Sequence, residues 1–228
     1  MTLLHTPQFS SWARGHLVCS VQGVPDRFAL TFDDGPNARA TGALLDLLAR
    51  FGARATFFVL GHNVRRLPDL VRRMAREGHE LAVHGESHLP LAILPPWGIR
   101  ADVRRCAGSI EALTGVRPRL FRPPFGFMMP GQARFVRGFG FESVLGDVYP
   151  EDPSCPGVDR IVERVMPRLR GGSVLILHDG SPAGDVNREQ SVQATGIILE
   201  RAALEGLSAI TVGELMTSGA EQGSTASA

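Results

Sequence analysis

The chain is expected to fold as an α/β barrel of parallel strands, and three observations lead there. Short apolar, strand-like runs alternate with segments of helical periodicity along most of the 228 residues. Five of these runs end on or just before a polar residue suited to catalysis: Phe28–Phe32 before Asp33, Leu81–Val83 before His84, Phe121 before Arg122, Leu145 before Asp147, and Ser173–Leu177 before His178. A parallel barrel gathers its active site from the carboxyl ends of several strands while their apolar bodies fill the core. Finally, 43% of the residues are hydrophobic and the formal charge is +1, as suits one domain with a sizeable core.

The elements follow in order. Residues 1–26 read as an N-terminal extension, 27–217 as the main domain, and 218–228, rich in Ser, Ala, Gly and Gln without apolar periodicity, as a tail expected to be disordered. After the strand Phe28–Phe32, Asn37 is placed to cap a helix over Ala40–Arg50, whose Leu44, Leu45, Leu47 and Leu48 form an apolar stripe. Gly52 and the strand Ala55–Val59 come next, then a helix Pro68–Glu77 stopped by Gly78 and the strand Glu80–Val83. A longer helix, Ile99–Leu113, precedes Leu120–Phe121. Further units pair Gln132–Arg137 with Phe141–Leu145, Val158–Leu169 with Ser173–Leu177, and Val192–Leu204 with Ser208–Val212. The count is about seven strand and helix units.

Composition excludes some partners. Lys+Arg and Asp+Glu nearly cancel at 24 against 23, and Arg65–Arg66 and Arg72–Arg73 fall on or beside a helix whose other face is apolar, so they read as a solvated face, not a nucleic-acid surface. Cys19, Cys106 and Cys155 are odd in number and far apart, which fits free thiols better than a disulfide framework. Met1–Ser20 lacks the pattern of a signal peptide, and no run of about 18 apolar residues occurs, so no membrane partner is expected. The chain as it stands reads as cytoplasmic, and as exported if a leader has been removed. Oligomeric state is left open.

Adjacent carboxylates at Asp33 and Asp34 repel, and an Asp-Asp-Gly-Pro segment alone would read as a turn. The chemistry comes from combining them with His84 and His88. A helical H-E-x-x-H zinc site is excluded because the segment reads H-G-E-S-H, follows a strand-like run and is followed by Pro90. A loop can still turn both imidazoles toward one ion, and two His with one carboxylate leave a position open, as catalytic zinc sites require. Cobalt, nickel or iron suits similar ligands. Phe127, Met128 and Met129 read as loop packing or as pocket lining, and Trp12 and Trp97 as packing residues or sugar-stacking candidates.

Four motifs in order, T-F-D-D-G at Thr31–Gly35, H-x-x-x-H at His84–His88, R-P-P-F-G at Arg122–Gly126 and L-I-L-H-D at Leu175–Asp179, give the chain a family resemblance. It resembles the polysaccharide deacetylases of the NodB-homology type, carbohydrate esterase family 4, over about Phe28–Leu215. The resemblance implies a distorted (β/α) barrel of about seven parallel strands. It implies Asp34, His84 and His88 as ligands of a divalent metal, usually zinc, and Asp33 as general base oriented by Arg122. It implies the backbone N–H of Phe125, within the Pro123–Gly126 loop, as an oxyanion donor, and His178 as the acid. The family's Asp-rich fourth motif ending in Trp departs here to G-D-V-Y-P-E-D-P: Tyr149 stands at the position of its first Asp, no Trp follows Asp152, and Asp147 or Asp152 is left as partner for His178 or Arg122. Phe125 replaces a more usual Tyr.

The expected activity is metal-dependent removal of N-acetyl groups from amino sugars or their oligomers, chitooligosaccharide-like or peptidoglycan-like, with release of acetate. A small amide, cyclic imide or acylated polyamine on the same site is the alternative substrate. An inactive carbohydrate-binding module is the reading from another class, disfavoured because base, metal set and acid are all present.

Overall fold

The computed structural model describes residues 16–225. Seven strands form one curled sheet in which every ladder between named strands is parallel: β1 (Arg27–Asp33), β2 (Thr56–Val59), β3 (Glu80–Val83), β4 (Leu120–Phe121), β5 (Glu142–Ser143), β6 (Val174–His178) and β7 (Ser208–Ile210). Their order is β5-β4-β3-β2-β1-β6, with β7 also paired to β1 beside its first residues. β1 is buried along nearly its whole length, as a central parallel strand covered on both faces must be. Between β5 and β6 the wall is carried by isolated bridges: Val18 to Val144, Ser20 to Ser173 and Val148 to Leu175. The sheet is thus the distorted barrel that the sequence implied.

Among the described residues eight α-helices pack outside it: α1 (Ala40–Phe51), α2 (Gly61–Arg66), α3 (Pro68–Arg76), α4 (Pro96–Thr114), α5 (Pro130–Arg137), α6 (Val158–Val165), α7 (Glu189–Leu204) and α8 (Val212–Thr225). The leucine stripe expected on α1 is buried, and the Asn37 side chain accepts the N–H groups of Arg39 and Ala40, so this residue caps the helix from just outside it. Pro96 and Pro130 start α4 and α5, where a missing N–H costs nothing. The arginine pairs read as a solvated face all find carboxylates: Arg65 with Glu86, Arg66 with Asp185, Arg72 with Asp69, and Arg73 with Asp46 and Glu77. The three cysteines are free thiols. No helix among the described residues is long and apolar enough to cross a membrane.

Three sequence expectations need adjustment. α2 was not foreseen; it has six residues and no full apolar stripe, so its pattern is too short to stand out. α8 runs past the expected tail boundary at residue 218: Val212 and Leu215 are buried, and the Ser218 hydroxyl accepts from Arg27 and donates to the Glu214 carbonyl, anchoring a segment that looks polar. Residues just before 27 also join the body, since Leu17 and Val24 are buried and Val18 and Ser20 bridge the sheet.

The turn into β6 depends on this packing. Val21 N–H donates to the Gly172 carbonyl at 2.8 Å, and a Cβ on Gly172, whose φ is +82°, would lie 2.0 Å from the Val21 carbonyl oxygen. Gly172→Ala is therefore expected to destabilise the fold by about 2 kcal/mol or more. Gly42→Ala, inside α1 with nothing near its Cβ, is expected to stabilise it by up to about 1 kcal/mol. Urea unfolding of the two variants checks both signs.

Candidate active site

All the candidate chemistry sits at the carboxyl ends of β1, β3, β4 and β6. Asp33, the last residue of β1, is in register with His178, the last residue of β6, so the two side chains start from adjacent strand ends. Asp34 follows with φ 71° and its N–H on the Phe58 carbonyl. Gly180 allows this turn, because a Cβ there would lie 2.3 Å from the Asp34 carbonyl oxygen.

His84 is fixed from behind. Its Nδ1 lies 2.8 Å from the Arg122 carbonyl oxygen, so Nδ1 carries the proton and the Nε2 lone pair faces the carboxylates, 3.5 Å from Asp34 Oδ1 and 3.8 Å from Asp33 Oδ2. His88, with φ 56°, brings its Nε2 to 3.4 Å from the same Asp34 oxygen. The loop expected from H-G-E-S-H is what turns both rings inward. Burial, with the neighbouring His84, lowers the His88 pKa to about 4, so its imidazole is neutral. Asp34, His84 and His88 place one ligand atom each within 4.8 Å of one another, and Asp34 Oδ1 is buried without a hydrogen-bond partner. Two imidazoles around an unsatisfied carboxylate oxygen fit a divalent cation with positions left open.

Arg122, 1% exposed, donates from Nη1 to Asp33 Oδ1 at 2.6 Å and to Thr31 Oγ1 at 2.8 Å, while its guanidinium carbon lies 3.9 Å from the Phe58 ring centroid. Burial alone would raise the Asp33 pKa. The charges of Arg122, His84 and His178 and the Arg122 hydrogen bond outweigh it and hold the carboxyl below the ordinary value. On the other side, Asp152 is fully buried and grips His178 twice, accepting from its backbone N–H at 3.0 Å and lying 2.9 Å from Nδ1. Ser191 Oγ donates to the same carboxylate at 2.7 Å. Burial works to lower the His178 pKa, but the Asp152 charge and hydrogen bond, with Asp33 and Asp34, raise it to about 9.

The choice left open between Asp147 and Asp152 is thereby decided geometrically for Asp152. Asp147 is turned to the other end of β6, where it accepts from the Val174 N–H at 2.8 Å, from Ser173 Oγ and from Arg170. Pro123 is buried under its loop and does not line the cavity, whereas Phe125 and Gly126 do. Phe125 has φ 61° and lays its ring 4.5 Å from that of His88. The cavity, of about 530 Å³, is completed by Phe127, Leu145, Tyr149, Pro153 and Ile176. Ile176 was missed as a wall residue, although its place two before His178 on one strand puts it on the same face. Met128 is core and Met129 is exposed; Trp97 lies outside this cavity and Trp12 outside the described residues.

Residues 21–143 match the family model described as polysaccharide deacetylase. A chitooligosaccharide deacetylase from Bradyrhizobium sp. is 37% identical over 178 residues, 75% of this chain and 81% of the relative. A peptidoglycan-N-acetylglucosamine deacetylase from Bacillus cereus is 33% identical over 204 residues, 89% and 93% of the two chains. The chain belongs to the polysaccharide deacetylase family. It is a hydrolase of carbon–nitrogen bonds other than peptide bonds. The solved structure of a peptidoglycan N-acetylglucosamine deacetylase in complex with 4-naphthalen-1-yl-N-oxidanyl-benzamide is similar to it with a TM-score of 0.85 at 28% identity, over 91% of this chain and 96% of the other. The peptidoglycan deacetylase PdaC from Bacillus subtilis gives a TM-score of 0.80 at 32% identity, over 89% and 95%.

In this polysaccharide deacetylase the His178 charge depends on Asp152. The folded pKa lies above the ordinary histidine value, so the imidazolium is present at neutral pH and is lost as pH rises through about 9. Asp152→Asn is expected to lower the His178 pKa by a unit or more. Imidazole resonances followed by NMR in metal-free protein report both values, and an unmoved resonance would rule out Asp152 as the group that holds the proton.

Proposed function

We propose that the chain removes N-acetyl groups from N-acetylated amino sugars or their oligomers, releasing acetate and leaving a free amine. The observation that carries the reading is one cavity lined by a carboxylate paired with Arg122, an imidazole held by Asp152 and a three-ligand set, with the Asp33 pKa lowered and the His178 pKa raised by those partners. Two ionisable groups pushed apart in this way mark themselves as base and acid. Support comes from the relatives, a chitooligosaccharide deacetylase and a peptidoglycan-N-acetylglucosamine deacetylase.

Asp34, His84 and His88 would hold the divalent metal, with zinc the first choice for this donor set and cobalt, nickel or iron as alternatives. When bound, such an ion polarises the amide carbonyl and makes water a better nucleophile. The protein's own groups carry the protons. Asp33 has Oδ1 engaged by Arg122, which leaves Oδ2 to take a proton from the attacking water. Arg122 keeps this carboxylate ionised and in one orientation. The Phe125 N–H is available to the oxygen on which charge develops, and its left-handed backbone sets the direction of that group. His178 is held by Asp152 through Nδ1, so Nε2 delivers the proton to the departing nitrogen as the carbon–nitrogen bond breaks. Apolar walls at Leu145, Phe127 and Ile176 suit the acetyl methyl.

Acetate release from N-acetylglucosamine oligomers by zinc- or cobalt-loaded protein tests the proposal. Asp33→Asn is expected to keep the metal and to lose about a thousand-fold in kcat, whereas His84→Ala loses metal and turnover together. A fully active Asp33→Asn would refute its role as base. A metal-loaded wild-type protein silent on every N-acetylated sugar but active on small amides would replace the sugar reading with the small-amide one.

A further inference from the structure

A second concavity lies outside the catalytic cavity, between α4 and α5. It has a volume of about 490 Å³ and is lined by Trp97, Arg100, Arg104 and Phe135 with Pro96 and Ala101. Trp97 is 76% exposed, unusual for the largest side chain and unlike a core residue. Positions 97, 100, 101 and 104 are spaced to share one face of α4, so the indole and both guanidiniums form a single stripe. The arginines are held in place by rings: Arg100 lies 5.1 Å from the Phe135 centroid and 5.6 Å from that of Phe139, and Arg104 lies 5.8 Å from Phe139. Neither arginine pairs with a carboxylate among the described residues, in contrast to Arg65, Arg66, Arg72 and Arg73.

The groove is bordered by the helices that follow β3 and β4, the strands that deliver His84 and Arg122. α4 starts on the side where β3 delivers His84, and the segment from His88 to Trp97 connects the two directly. Along it Leu89 and Ile93 are 41% and 67% exposed, and Gln132 of α5 ties the segment down by donating to the Leu91 carbonyl. In a parallel strand–helix unit the helix begins where the preceding strand ends, so α4 and α5 both begin at the end of the sheet that carries the active site.

We infer that the α4–α5 groove is a distal subsite for a glycan that carries carboxylates, with a sugar ring on Trp97 and a sugar carboxylate between Arg100 and Arg104. The inference rests on the sugar deacetylase reading and narrows it. Indole faces suit the apolar face of a pyranose, and rigidly stacked guanidinium forks suit a carboxylate better than flexible lysines would. A neutral glycan would use only the indole. An alternating N-acetylglucosamine and N-acetylmuramic acid strand, with a lactyl carboxylate on every second sugar, would use both.

The test uses full-length Asp33→Asn protein, so that binding is read without turnover, and three probes: neutral N-acetylglucosamine hexamer, an alternating carboxylated hexasaccharide without peptide, and poly-glutamate. Calorimetric titration is expected to give at least about tenfold tighter binding of the carboxylated hexamer than of the neutral one at low salt, with the gap closing as salt rises. Arg100→Gln with Arg104→Gln should remove that gap and leave the neutral hexamer unchanged, while Trp97→Ala should weaken both sugars. Equal affinity for the two hexamers, or an arginine double variant that still prefers the carboxylated one, would overturn the inference. So would poly-glutamate binding as tightly as the carboxylated glycan, which would make the groove a surface for acidic peptides. If the double variant fails to match the parent's thermal melt, Arg100→Lys with Arg104→Lys, keeping charge but losing the fork, is read instead and should lose most of the preference. Acetate release from N-acetylglucosamine trimer by protein with Asp33 intact separates the two claims: its absence sinks the deacetylase reading, whereas its presence beside equal affinity of the Asp33→Asn parent for the two hexamers sinks only the subsite.

Discussion

The buried pair between Arg122 and Asp33 is the constraint around which the mouth of the barrel is arranged. Two charges removed from water cost several kcal/mol each before their attraction is counted, so the pair persists only where the surroundings hold it in good geometry. Thr31 takes a second bond from the same guanidinium nitrogen, and the Phe58 ring supports the cation from below. Asp33 ends β1 and Arg122 follows β4, strands separated in the sheet by β2 and β3, so the pair crosses the mouth and does not merely extend a ladder. The same residue fixes His84, because the Arg122 carbonyl accepts a hydrogen bond from Nδ1. The orientations of the Asp33 carboxylate and of the His84 ring thus depend on one residue.

Across the site the same physics runs in the opposite direction. Arg122 keeps Asp33 deprotonated, and Asp152 keeps His178 protonated. Each of these two groups is set by a buried partner of opposite charge, Arg122 for Asp33 and Asp152 for His178. The two carriers sit on adjacent strand ends, close enough that each stabilises the charged form of the other. Burial opposes both charged forms, and the partners overcome it. A mutation at Asp152 therefore alters a proton inventory, not just the position of a ring.

Much of this was legible along the chain because a parallel barrel converts order in sequence into position in space. Asp33, His84, Arg122 and His178 each follow an apolar run, and each lies at a strand end. The partner of His178 was not legible, and the reason is local. Asp147 follows an apolar run as well, but Gly146, with φ 131°, passes so close over β6 that a Cβ would lie 2.7 Å from Ile176. That close passage turns Asp147 toward the Val174 N–H. Asp152 reaches the acid from a short turn bounded by Glu151 and Cys155, both left-handed, a conformation no hydrophobic period announces. Likewise α8 escaped notice because its stabilising contacts, Ser218 to Arg27 among them, are polar and distant in sequence.

Three non-glycine residues with positive φ, Asp34, His88 and Phe125, stand at the cavity itself. Such conformations cost about 1 kcal/mol or more each and survive only where surrounding structure over-determines them. Here the surroundings can be named. Asp34 is pinned by the Phe58 carbonyl and by Asn63, which donates to its own carbonyl, and is backed by Gly180. Phe125 is braced by the turn bond from Gly126 to Pro123 and by its stacking on His88. His88 in turn is held between the Phe125 and His84 rings. The strained positions support one another in pairs, so the cavity behaves as one unit: loosening Phe125 frees His88, and loosening His88 opens the ligand set around Asp34. The loops after β3 and β4 therefore have to be rigid near the cavity, and the freedom to vary lies farther out, where the same loops start α4 and α5.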